Sequence, residues 1–193
     1  MIVMHYLHRH HICHRDVKLE NILLVTQSSA SIDVRDCAVV PPSPISPSVE
    51  MFNSHTGATI RLADFGLARP HAPGERLTTR CGSEEYASPQ LLCGERGYDP
   101  EKTDVWALGC VLFAMLTGEM AFQTNEGEST RRMYTKICTG AYTWPAGLAI
   151  SEAAKRLVQR CLEPDEDRRA NCIELLQHPW LQGTSDGERL PSR

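Results

Sequence analysis

Apolar residues recur through the first 25 positions and end in NILLV, residues 21–25, whose branched aliphatics predict a short buried strand. The pattern is then lost. Residues 26–59, TQSSASIDVRDCAVVPPSPISPSVEMFNSHTGAT, hold a period of neither 3.6 nor 2 and are rich in Ser and Pro, which predicts a disordered insertion within one domain. Order returns at residue 60, where IRLADFGLA opens with strand-like alternation, while 69–100 is irregular and rich in Gly, Pro and Ser. DVWALGCVLFAMLTG, 104–118, is apolar on all sides and predicts a central helix packed from every direction and closed by Gly118. SEAAKRLVQRCLEP predicts a surface helix capped by Ser151, with Ala154, Leu157, Val158, Cys161 and Leu162 on one buried stripe. NCIELLQHPW opens with a capping-box pattern, Asn171 and Glu174, and is expected to end near the His178-Pro179 step, because a residue before proline avoids helical geometry. The tail from 183 is expected to fray.

These elements describe a mainly α chain with two short strands. Its 193 residues, 41% hydrophobic and 23% charged with a net charge of −4, suit one globular domain and offer no bulk attraction for nucleic acid or anionic lipid. The eight cysteines form no CxxC pair, so reduced thiols in a cytoplasmic or nuclear protein are expected over a zinc or disulfide framework. MIVMHYLH is too short for a signal-peptide core, and the longest apolar run, VWALGCVLFAML, is well short of the ~20 residues that span a bilayer. PPSPISPS reads as a solvated loop, with a proline-directed phosphorylation site or a ligand for a proline-binding module as the functional alternative.

HRHHICHRDVKLEN, residues 8–21, concentrates the candidate chemistry. Its histidines raise a metal site, yet His5 and His8, then His10 and His11, sit where a helix end runs into a turn, which would splay them too far for a fixed ligand set. The spacing of the other polar groups is more informative. Asp16 can accept a hydroxyl proton, and Lys18 can neutralise charge on a transferring phosphoryl group. Asn21 and, beyond the insertion, Asp64 offer hard oxygens suited to a divalent cation.

In this order, His14-Arg15-Asp16-x-Lys18-x-x-Asn21 and Asp64-Phe65-Gly66 resemble the HRDxKxxN and DFG motifs of the eukaryotic-type protein kinase family, with the lysine of the serine/threonine branch. CGSEEYASPQ, 81–90, resembles the family's substrate platform and APE segment, with Ser83 where threonine is usual. DVWALG resembles the start of the large lobe's central helix, whose Asp104 holds the catalytic loop's backbone, and RRANCIELLQHPWL resembles the last helix. The overall texture resembles calcium/calmodulin-dependent and related fungal-type kinases.

The resemblance covers residues 1–182 apart from the 26–59 insertion, with 183–193 as a flexible tail. It implies a protein-kinase large lobe, α+β as part of a full kinase domain, whose hairpin carries the catalytic and DFG segments. It implies ATP and Mg2+ as cofactors, with Asp16 and Lys18 catalytic, Lys18, Asn21 and Asp64 at the nucleotide, and Asn21 and Asp64 on magnesium. It implies serine- or threonine-bearing protein substrates and an upstream activating kinase. Thr79, with Thr78 a near-equal alternative, stands where the family carries an activating phosphate that Arg15 could hold. Glu84, Glu85 and Glu119 hint at basic substrates.

Two departures from the family pattern carry consequences. Gln90 replaces the APE glutamate, so its expected partner Arg169 gains one hydrogen bond in place of a charge-assisted pair. The Gly-rich phosphate loop, strand lysine and glutamate helix are not among the 193 residues, so the chain alone is expected to be a truncated form with little activity. A non-catalytic lobe remnant that binds kinase substrates or partners is the alternative.

Overall fold

The computed structural model describes residues 1–26, 51–52, 58–94, 96–124 and 129–183. The chain divides into two compact units, residues 20–63 and the remainder on either side.

The larger unit is helical and centres on α3, Pro100–Thr117. The apolar pattern begins at Asp104, but the helix starts four residues earlier. Asp99 caps it by accepting from the Glu101 and Lys102 amides at 2.9 and 3.1 Å, and Pro100 fits the first turn because it has no amide to satisfy. Thr103 to Val111 are buried without a break, and Gly118 ends the helix in the left-handed region at φ 78°. Helix α5, Glu152–Cys161, lies against α3 with its predicted stripe buried, and Ser151 Oγ accepts from Ala154 N at 3.2 Å. Contact is so close that a Cβ on Gly109 would sit 2.6 Å from Cys161 Cβ. Trp106 stacks on Phe122 at 5.4 Å, and Phe113 meets Tyr142 and Trp144 beside it.

Helix α1, Ile2–Arg9, runs into β1, Ile12–Cys13, which pairs antiparallel with β5, Arg69–Pro70. The stretch 69–100, expected to be irregular, also holds a 3-10 turn, Glu84–Tyr86, and helix α2, Pro89–Cys93. Ser88 followed by Pro89 is the signal for α2: the Ser88 hydroxyl accepts from Leu91 N and Pro89 fills the first helical position. Helix α4, Thr130–Thr139, precedes α5. Helix α6, Cys172–Leu176, carries both bonds of the Asn171/Glu174 capping box. As expected, α6 ends just before the His178-Pro179 step, and His178 then caps a further short helix, α7, Pro179–Gln182.

The smaller unit is an antiparallel sheet in the order β2-β4-β3, formed by Ile22–Thr26, Ala58–Leu62 and Met51–Phe52. Two expectations change. The ladder takes in Thr26, Met51, Phe52, Ala58 and Thr59, which the sequence pattern assigns to the insertion; main-chain pairing needs no side-chain period. Of NILLV, residues 22–25 lie in β2, but Leu23 and Leu24 are 47% and 67% exposed, so this is not the buried strand the apolar run predicts. The remaining insertion, 27–50 and 53–57 with PPSPISPS, and the tail 184–193 lie outside the described residues.

Candidate active site

The turn from β1 to the smaller unit carries Asp16 and Lys18 in the larger unit. Asp16 Oδ2 lies 2.8 Å from Lys18 Nζ; Lys18 Nζ donates to Ser83 Oγ at 3.2 Å, and Ser83 Oγ donates to Asp16 Oδ1 at 3.3 Å. This closed triangle of carboxylate, ammonium and hydroxyl is largely buried on the Asp16 side and half-buried at Lys18 and Ser83. It joins the loop before the hairpin to the platform segment 67 residues later.

Asp104, at the buried start of α3, fixes that loop from beneath. Its Oδ2 accepts from His14 N and its Oδ1 from Arg15 N, both at 2.8 Å. Arg15 needs such support, since its φ of 65° is left-handed, a region that costs a side-chain-bearing residue about 1–2 kcal/mol. Its Nε also donates to Leu67 O at 2.7 Å. His8 Nε2 stands 3.1 Å from Asp104 Oδ2. Burial works to lower the His8 pKa, but Asp104 at Nε2 and Cys172 Sγ, 3.5 Å from Nδ1, together outweigh it and raise the pKa to about 10, which favours the imidazolium at neutral pH.

Gly82 closes the site from the platform side. A Cβ there would sit 2.6 Å from Arg15 O, and its φ of 89° favours glycine as well. His8, Gly82, Leu67 O and Tyr86, whose hydroxyl accepts from Leu19 N at 3.4 Å, are absent from the motif-based residue set. Nothing local marks them; each acts through a partner far away in sequence.

Asp64 opens the DFG segment at φ 59°, exposed, with Oδ1 accepting from Gly66 N at 3.2 Å. Phe65 meets buried His14 edge-on at 4.9 Å, and His14 Nδ1 accepts from Asp16 N at 3.3 Å. Asn21 belongs to the smaller unit, where it is buried and its carbonyl accepts from Ala63 N at 2.8 Å. The Asp64 carboxylate and the Asn21 side-chain amide each offer a hard oxygen of the kind magnesium prefers, so each residue by itself fits the ion chemically.

Under the platform, Arg169 is buried and donates from Nη2 to Gln90 Oε1 at 2.7 Å. Further bonds run from Nε to Glu163 O at 2.8 Å and from Nη1 to Lys102 O at 3.0 Å, and the guanidinium lies 4.9 Å from the Trp106 ring centre. Gln90 Nε2 donates in turn to Pro164 O at 2.7 Å. Thr78 and Thr79 are exposed, and Thr79 O accepts from the Tyr98 hydroxyl at 2.9 Å.

A loop holding Asp16 against Lys18 over a buried aspartate, followed by a DFG segment and the 81–90 segment, has the order of parts found in a protein-kinase large lobe. The protein kinase domain family matches residues 1–181, and the chain belongs to that family. Among its relatives, a human SNF-related serine/threonine-protein kinase is 33% identical over 92% of the chain and 19% of its own length. The mitosis inducer protein kinase cdr2 of Schizosaccharomyces pombe is 32% identical over 92% of the chain and 18% of its own. A probable serine/threonine-protein kinase, MARK-A, of Dictyostelium discoideum is 34% identical over 94% of the chain and 14% of its own. The chain thus spans less than a fifth of the length of these relatives. The family works with ATP and Mg2+ on protein substrates.

Proposed function

We propose that the protein is a serine/threonine protein kinase that transfers the ATP γ-phosphate to hydroxyls of protein substrates. The observation that carries this is the Asp16–Lys18–Ser83 triangle, with Asp16 Oδ2 2.8 Å from Lys18 Nζ, on a loop tied to Asp104. A substrate hydroxyl at Asp16 gives its proton to the carboxylate, and Lys18 meets the charge that builds on the phosphoryl oxygens. Ser83 keeps both groups in register from the platform. Asp64 and Asn21 are the residues to hold magnesium, which when bound neutralises phosphate charge.

Activation follows from phosphorylation of Thr79 by an upstream kinase, the phosphate pairing with Arg15. A cytoplasmic or nuclear site of action fits the cysteine pattern, which has no CxxC pair.

The test is phosphotransfer from Mg-ATP to serine-, threonine- and tyrosine-containing peptides by the protein purified from its native source. Serine and threonine are expected to be labelled and tyrosine not, with Asp16→Asn lowering turnover by at least about a hundredfold. Turnover unchanged in Asp16→Asn, or preference for tyrosine, overturns the reading.

A further inference from the structure

The short β1/β5 ladder sets His11 and His71 across from each other, His71 N donating to His11 O at 2.9 Å and the two rings meeting edge-on at 5.8 Å. Glu101, in the first turn of α3, faces them. Its backbone is held by the Asp99 cap, so both histidines and the glutamate stand on hydrogen-bonded frames of the same unit. One possible ligand atom from each residue lies within 4.8 Å of the others.

His71 has an unusual polar environment. Its side chain is only 3% exposed, yet Nε2 has no hydrogen-bond partner. Nδ1 lies 3.1 Å from Ala72 O, and a carbonyl can only accept, so Nδ1 carries the proton. In the neutral ring Nε2 then presents a bare lone pair, aimed at Glu101 Oε1, another acceptor, 3.5 Å away. Two acceptors facing each other call for a cation between them. A separation of 3.5 Å is close to the ~3.4 Å between neighbouring ligands of a tetrahedral zinc with ~2.05 Å bonds.

We infer that His11, His71 and Glu101 form a site for a zinc-type divalent cation, with solvent as fourth ligand. The chemistry excludes magnesium, which takes oxygen donors; two imidazoles and one carboxylate are a zinc donor set. The Nδ1–H···O=C bond of His71 is the outer contact that orients a ligating imidazole. Exposed His11 swings in to close the site, and Glu101, about one-third exposed, gives the ion access from solvent. Only His11 of the histidine-rich stretch takes part; its partners come from 60 and 90 positions away, so the site is independent of the kinase reading.

Chelator-stripped protein is titrated with Zn2+ by calorimetry and thermal melting, with Co2+ as spectroscopic stand-in. One ion per chain is expected, with a melting temperature that rises with zinc and a cobalt spectrum lacking the charge-transfer band a thiolate ligand produces. His71→Ala and Glu101→Gln should each weaken binding more than about tenfold, the loss that even outer contacts of a metal site can produce. Cys93→Ser and Cys172→Ser should leave it within about twofold. His11→Asn, at an exposed position whose φ of 53° asparagine tolerates, weakens zinc binding with no change in the zinc-free melting temperature, which separates ligand loss from misfolding. No saturable binding, a thiolate band, or unchanged affinity in His11→Asn and Glu101→Gln overturns the site and leaves a protonated His71–Glu101 ion pair.

Discussion

Asp104 under the Asp16 loop and Arg169 under the 81–90 segment are both charges withdrawn from water, each 1% exposed, and their charges are met differently. Asp104 has two backbone amides at 2.8 Å and a counter-charge on His8 at 3.1 Å. Arg169 has no ion-paired carboxylate among the described residues; it is surrounded by the carbonyls of Glu163, Pro164 and Lys102, the Gln90 amide and the face of Trp106. Burial lowers the Arg169 pKa to about 10, against the opposing pull of Glu166, Asp99 and Glu163, so it stays protonated at neutral pH. A buried charge can thus be met by a counter-charge with a few amides or by neutral dipoles alone. The first arrangement ties the Asp16 loop to one carboxylate through two amides with one counter-charge beside it, while the second spreads support of the 81–90 segment over several neutral groups.

Removing each hub should expose this contrast. Asp104→Ala strands an imidazolium and two amides, and is expected to cost about 3–5 kcal/mol, the range for breaking one side of a buried pair. Arg169→Met removes a charge along with its bonds and leaves only carbonyls and an amide to find new partners. About 2–3 kcal/mol is expected there. Urea denaturation of both variants gives the comparison, and an Arg169→Met loss equal to or above that of Asp104→Ala would break it.

A third test uses pH. His8 has its folded-state pKa raised from 6.5 to about 10, so its contribution to stability is complete below pH 6.5 and fades as pH rises towards 10. The stability gap between the protein and His8→Gln should therefore shrink across that window. A gap that stays constant would mean that the Asp104 hub does not depend on the His8 charge.

The two hubs also differ in what the sequence discloses. Asp16, Lys18, Asn21 and Asp64 are legible because their order resembles the HRDxKxxN and DFG motifs, and Asp104 begins a recognisable apolar run. The meeting of Gln90 with Arg169 follows from family resemblance across 79 positions, and the structure has that bond at 2.7 Å. His8 is different. It pairs with Asp104 across 96 positions, and no local period distinguishes it from its neighbouring histidines. The same holds for His71 and Glu101, whose relation arises only when β5 and α3 come together. The start of α3 was legible in Asp99-Pro100, a cap followed by a first-turn proline, although the apolar run alone points to a later start. The exposure of Leu23 and Leu24 was not, since a run of β-formers reads alike in a core strand and a solvated one.

The smallest expected effect concerns the residue by which this platform departs from the family pattern. Gln90 makes two bonds at 2.7 Å, accepting from Arg169 and donating to Pro164 O. Gln90→Glu strengthens the first by adding charge and removes the second. Pro164 O is not orphaned, because Arg169 Nη2 also donates to it at 3.2 Å. A charge-assisted bond exceeds a neutral one by about 1 kcal/mol, and the lost amide bond offsets part of that. The variant should therefore be more stable by about 0.5 kcal/mol, read as a small rise in urea midpoint. A fall in the midpoint would show that the Gln90–Pro164 bond outweighs charge pairing, and that glutamine completes a support already built from dipoles.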